Sequence, residues 1–91
     1  MNEDEIVTFL CRSEILRVKD STIRISDNYD KMESICECLI LDRCDILELE
    51  SAKVFKNLRV LKFIGISYYP HMFDNISFDK IEILSLDIVI L

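Results

Sequence analysis

Thiols and an imidazole are the first groups to weigh in this chain of 91 residues, because they are the side chains that hold zinc. Three of its four cysteines fall as Cys36-x-Cys38-x5-Cys44, and the single histidine, His71, follows downstream. Zinc ribbons and fingers pair their ligands as C-x2–4-C, so one intervening residue is the wrong spacing for the common sites. These thiols are expected to be ordinary small side chains, with no metal and no cofactor.

Nucleophilic catalysis would need a cysteine or serine beside a general base. His71 follows Pro70 in a stretch predicted to be loop, and no partner is placed beside it by spacing. The acid pairs Asp42 and Asp45, or Glu48 and Glu50, occur in a chain rich in carboxylates and have no pocket-forming glycines around them. Gly65 is the only glycine, so no phosphate-cradling loop can form. Asn75-Ile76-Ser77 reads as a glycosylation sequon, which is void if the chain stays in the cytosol. The expectation is a protein that is not an enzyme.

Composition narrows the class further. With 51% apolar and 31% charged residues the chain reads as one globular domain, small enough to be marginal without added support. The opening MNEDEIVTFL is acidic and lacks the basic start and apolar core of a secretory signal, which points to a reducing, cytoplasmic setting. No uncharged apolar run approaches the roughly 18 residues that span a bilayer, so no membrane is expected. A formal charge of −6 disfavours nucleic acid as the main ligand.

The elements that would position any site follow from an internal periodicity. Ser13–Ile23, Cys36–Ile46, Leu58–Tyr68 and Ile81–Leu91 align with leucine at the fourth place of each copy: Leu16, Leu39, Leu61 and Leu84. The first places are Ser13, Cys36, Leu58 and Ile81, the sixth are Val18, Leu41, Phe63 and Leu86, and the eleventh are Ile23, Ile46, Tyr68 and Leu91. Ser13 alone is neither apolar nor cysteine. Alternation of the x-L-x-L kind is a strand with one buried face, and the segments between copies are long enough to be the crossovers that parallel strands require.

These copies resemble the leucine-rich-repeat family, whose consensus is L-x-x-L-x-L-x-x-N/C-x-L at a period of 20 to 29 residues. The resemblance covers Ser13 to Leu91. It implies an α/β fold, a leucine-rich-repeat solenoid with short parallel concave strands and irregular or helical convex segments, divided as 13-35, 36-57, 58-80 and 81-91. The ninth place, ordinarily Asn or Cys, holds Ser21, Cys44, Ile66 and Val89, so only the first two can bond to the turn backbone there. Glu50 to Asn57 could form one or two helical turns, and Pro70 prevents a regular helix through Ser67 to Phe73.

Each copy buries its apolar layer only against its neighbours, so the ends need covers. Residues 1-12 are expected to be an N-terminal capping segment, a short helix with Ile6, Phe9 and Leu10 on one side. At the other end Asp87, Ile88, Val89, Ile90 and Leu91 form an edge rich in β-branched residues that invites another chain, including a second copy, unless the sequence is part of a longer solenoid or the terminus folds back or frays.

The resemblance places binding on the concave face, through places three, five, seven and eight. Ile15, Cys38, Val60 and Ile83 make an apolar row there, with Ile40, Ile64 and Ile88 beside it. Such a patch is more than a monomer ordinarily leaves in water, unless the N-terminal segment or the loops cover it. Arg17, Lys19, Arg43 and Lys62 are expected as a polar rim that receives acidic groups. Function is therefore read as a protein-protein interaction module or small accessory subunit of a larger complex. One alternative is a component of a ribonucleoprotein such as a ribosome, touching RNA through Arg12, Arg17, Lys19 and Arg24. A second is a substrate adaptor.

Overall fold

A computed structural model describes residues 2–26, 33–49, 55–67, 74 and 78–89. In chain order its elements are α1 (Glu3–Arg12), β1 (Ile15–Lys19), β2 (Thr22–Ile25), β3 (Cys38–Asp42), β4 (Asp45–Leu49), β5 (Val60–Ser67) and β6 (Ile83–Val89). The strands lie in two sheets, one of four in the order β1-β3-β5-β6 and one of two, β2-β4, and every pair is parallel. The chain is thus a small α/β domain with one short helix among the described residues.

Helix α1 starts because Asn2 caps it, its Oδ1 accepting the Glu5 N–H at 2.9 Å, while Asp4 and Glu5 sit where the helix dipole favours negative charge. It stops at Ser13, which turns to extended backbone and donates its N–H to the Phe9 carbonyl at 2.8 Å. Ile6, Val7 and Leu10 are buried, whereas Phe9 is exposed. At about 100° per residue Phe9 lies roughly 100° round the helix from the centre of that trio, on the side of Glu5 and Arg12. Val7 takes the inward place that the sequence pattern gives to Phe9.

The four-stranded sheet follows the periodicity residue by residue. Leu16 is opposite Leu39, Leu39 opposite Leu61, and Leu61 opposite Leu84, offsets of 23, 22 and 23 positions. Because alternate side chains point to opposite faces, the leucines and their neighbours two places on, Val18, Leu41, Phe63 and Leu86, share the inner face. The core joins Val18, Leu39, Leu41, Leu61 and Phe63 to the inward side of α1 and to Ile23, Ile25, Ile46 and Leu49 of the small sheet. Phe55 and Leu58 close it from the segment leading into β5.

Two residues separate β1 from β2 and β3 from β4, so each corner must be tight. Asp20 (φ 50°) and Arg43 (φ 53°) take the left-handed conformation there. Backbone bonds stack the corners: Asp20 N–H reaches the Asp42 carbonyl at 3.0 Å, and Asp45 N–H the Ser21 carbonyl at 2.9 Å. In the third copy the same place is Gly65 (φ 61°), but the chain does not turn: β5 runs on to Ser67, and the register with β6 shifts between Ile64 and Ile66. Glycine fits this bulge for two reasons. Its φ is one that side chains disfavour, and a Cβ there would meet Cγ of Arg43 at 3.3 Å.

Polar groups inside the stack find partners. Cys44 donates its S–H toward the carbonyls of Val18 at 3.4 Å and Asp42 at 3.5 Å, and the Ser21 hydroxyl reaches the Lys19 carbonyl at 2.8 Å. Ninth-place Ile66 is instead simply buried. A second series of contacts joins the segments entering the strands. Ser34 Oγ donates to the Leu10 carbonyl at 2.8 Å, Asn57 Nδ2 to the Ser34 carbonyl at 2.6 Å, and Lys80 Nζ to Asn57 Oδ1 at 3.1 Å. These bonds link α1 to the segments that precede β3, β5 and β6 without using a strand residue.

Candidate interaction surfaces

The outer face of the four-stranded sheet can be laid out from its register. One row is Ile15, Cys38, Val60 and Ile83, the next is Arg17, Ile40, Lys62 and Ser85, and the third is Lys19, Asp42, Ile64 and Asp87. Ile15 is 72% exposed and Ile83 52%, with Cys38, Val60 and Ile40 half-buried and Ile64 exposed. Neither α1 nor any other described segment covers this row.

Beside the apolar row lies a shallow groove of about 210 Å³ lined by Ile15, Glu37, Cys38, Arg59, Val60 and Glu82. Its floor is regular. The Glu14 carbonyl accepts the N–H groups of Glu37 and Cys38 (2.8 and 3.0 Å), and the carbonyls of Glu37 and Arg59 do the same for the strands that follow. Glu14, Glu37, Arg59 and Glu82 thus form a column along the strand starts. Arg59 Nη2 contacts both carboxylate oxygens of Glu82 at 3.0 Å, and these bonds, with the added charges of Glu82 and Glu37, push the guanidinium pKa up.

The basic rim is largely neutralised from within. Asp42, its side chain only 8% exposed, accepts from Arg17 Nη2 at 2.7 Å and lies 3.4 Å from Arg43 Nε. Arg43 also reaches Asp20 at 3.5 Å. The Arg17 hydrogen bond, ahead of the nearby charges, holds the Asp42 carboxyl below its ordinary pKa. Arg17 and Arg43 therefore already have carboxylate partners, whereas Lys19 and Lys62 are exposed with no ion pair among the described residues. Place eight, read from the sequence as part of this face, is the left-handed corner at Asp20 and Arg43 and the bulge at Gly65.

No family model, curated protein or solved structure matches the chain.

The thiols do not converge on one point. Cys36 and Cys44 are buried, each donating to backbone, Cys36 to its neighbour Cys38's carbonyl at 3.2 Å, while Cys38 opens to the outer face. Burial pushes the Cys36 thiol up to about 11 and raises Cys44 and Cys11 as well, so little thiolate forms at neutral pH. Among the described residues no three His, Cys, Asp or Glu side chains gather as a metal would require.

The cations considered for RNA lie on three elements. Arg12 ends α1, Arg17 and Lys19 stand on β1, and Arg24 on β2 lies 3.8 Å from Glu48. Among the described residues no helix is long and apolar enough to cross a membrane. His71, Pro70, Tyr68, the Asn75-Ile76-Ser77 sequon, Glu50 to Val54, and the edge residues Ile90 and Leu91 lie outside the described residues. Asp87, Ile88 and Val89 belong to β6.

Burial along the inner face reveals a feature that periodicity alone does not convey. Leu61 and Phe63 of β5 are 2% and 1% exposed, whereas Leu84 and Leu86, the same places on β6, are 45% and 43% exposed. Among the described residues the sheet ends on a strand whose core-type leucines are nearly half exposed.

Proposed function

We propose that the chain is a short leucine-rich-repeat solenoid acting as a non-enzymatic protein-interaction module or small accessory subunit in the cytoplasm. It binds through the concave outer face of its four-stranded sheet and through the open edge at β6. The observation that carries this reading is the uncovered apolar row beginning with Ile15 and ending with Ile83, on a domain too small to leave such surface idle. The Leu residue shared by the four paired strands and the two-residue corners support the solenoid architecture. The internal pairing of Arg17 and Arg24 with carboxylates favours a protein partner over RNA.

In-cell crosslinking followed by mass spectrometry tests the reading, with wild type beside Ile15→Asp/Val60→Asp and Leu84→Asp. The expected result is a specific crosslink to another polypeptide at the outer face or the edge, lost in the matching variant while circular dichroism is unchanged. Identical crosslinks in all three proteins would overturn it.

A further inference from the structure

The two ends of the four-stranded sheet are not equivalent. At the β1 end, α1 sets Ile6, Val7 and Leu10, none more than 1% exposed, into the core. At the β6 end Leu84 and Leu86 stand open, and the outer edge of β6 has no strand beside it among the described residues. An open edge strand with free N–H and C=O groups is a template for another strand.

We propose that this end is an interface for a second copy of the same chain, joined edge to edge by antiparallel pairing of the two β6 strands about a two-fold axis. The inference rests on the reading of the β6 edge as a binding surface, and not on that of the outer face. Sealing of the opposite end selects this arrangement. Head-to-tail stacking would set the open leucines of β6 against an end where Val18 is already buried and α1 packs on β2, so no open core layer would receive them. Joining like ends leaves both helices in place and closes the assembly at two copies.

The residue order of β6 suits its own reversal. With the axis through Leu86, Leu86 faces Leu86 of the other copy, Leu84 faces Ile88, and Ser85 faces Asp87. Each Asp87 then meets a hydroxyl that can donate to it, and no carboxylate faces a carboxylate. An axis through Asp87 would oppose two negative charges directly, which destabilises a strand pair. The two outer faces would merge into one sheet of eight strands, four from each copy.

A seven-residue edge with two leucines per copy is a short contact beside the roughly 20 to 30 residues a side of a standard stable interface, so the dimer is expected to dissociate on dilution. Each copy carries a formal charge of −6. Association therefore proceeds against mutual repulsion, and raising salt from about 50 to about 500 mM should tighten it several-fold by screening. A partner held by opposite charge would respond in the reverse sense.

Sedimentation equilibrium of the full chain between about 1 and about 300 µM, with Leu86→Glu and Ile15→Asp as comparators, tests the proposal in the range where a small interface dissociates. The expected result is a monomer–dimer equilibrium that salt tightens, that Leu86→Glu abolishes and that Ile15→Asp leaves unchanged. A wild type that stays monomeric throughout overturns the second-copy proposal, while the crosslinking of the outer face decides the broader reading separately. A dimer lost with Ile15→Asp and kept with Leu86→Glu overturns it also, since the copies would then meet through their outer faces.

Should Leu86→Glu fail to fold, cysteine substitutions read the register directly. Directly opposed residues on antiparallel strands lie about 4.5 to 5.5 Å apart at Cα, within disulfide reach. Leu86→Cys should give a covalent dimer with oxidised glutathione, and Ile83→Cys, three places from the axis on each copy, should not. Equal crosslinking of the two variants overturns the register and the proposal with it.

Discussion

Arg17 and Asp42 meet diagonally across two strands. Arg17 pairs in register with Ile40, and Asp42 with Lys19, yet the guanidinium crosses to the carboxylate at 2.7 Å. Such diagonal neighbours are within reach of a long side chain. The contact fixes one acid at the centre of the outer face, between Arg17 and the corner residue Arg43.

Acid should weaken the fold through this acid. The folded pKa of Asp42 is depressed, chiefly by the Arg17 hydrogen bond, so its contribution is full above the unfolded value and is lost as pH falls through the folded one. Urea midpoints measured from pH 6 downward should decline below about 4. Asp42→Asn should start lower and lose less over the same interval. An identical pH slope in the two proteins would show that the pairing adds nothing.

One substitution made at two equivalent places should differ sharply in cost. Leu61→Ala removes a fully buried side chain and should cost about 2 to 5 kcal/mol. Leu84→Ala, at the half-exposed place beside it, should cost less than about 1 kcal/mol in dilute protein, since little burial is lost. Equal costs by urea unfolding would mean that the β6 end is covered.

Gly65→Ala should destabilise by about 1 to 2 kcal/mol, because the residue would keep a left-handed backbone with its Cβ against Arg43. Gly65→Asn should cost less, since asparagine visits that region more readily. Unchanged stability in Gly65→Ala would show that the bulge relaxes without cost.

Thiol chemistry should sort the cysteines by access. With a disulfide reagent at neutral pH, half-buried Cys38 and Cys11 should react before Cys36 and Cys44. Burial raises the folded pKa of Cys36 to about 11, so its preference for the neutral thiol stabilises the fold up to its unfolded value near 9.0 and fades as pH rises toward 11. Early labelling of Cys36, followed by mass spectrometry of the peptides, would contradict this order.

The parallel sheet was legible in the sequence because a leucine every 22 or 23 residues fixes both strand identity and register. The corner was not. Asp20 and Arg43 share a backbone conformation and no side-chain property, so pattern-reading assigns them to the outer face by default. Phe9 was misplaced for a related reason, since helical spacing sets a stripe's width and tertiary contact sets its centre. Counting charges singly gave a basic rim, whereas Asp42 satisfies Arg17 and Arg43 from an adjacent place in the rows. Ser34, Asn57 and Lys80 lie outside the aligned copies, and their place one or two residues before the second, third and fourth copies was the one signal that could have found them.

The unequal ends also give the molecule a direction of unzipping. β3 is bonded on both edges and can open only by parting from two neighbours, whereas β6 need only leave β5. Local opening that starts at β6 bares one flank of β5, whose Leu61, Phe63 and Ile66 are at most 2% exposed, while opening at α1 uncovers Ile6, Val7 and Leu10. The strand best placed to accept another chain is therefore also one held along a single edge among the described residues, and whatever seats beside it sets how firmly it is held.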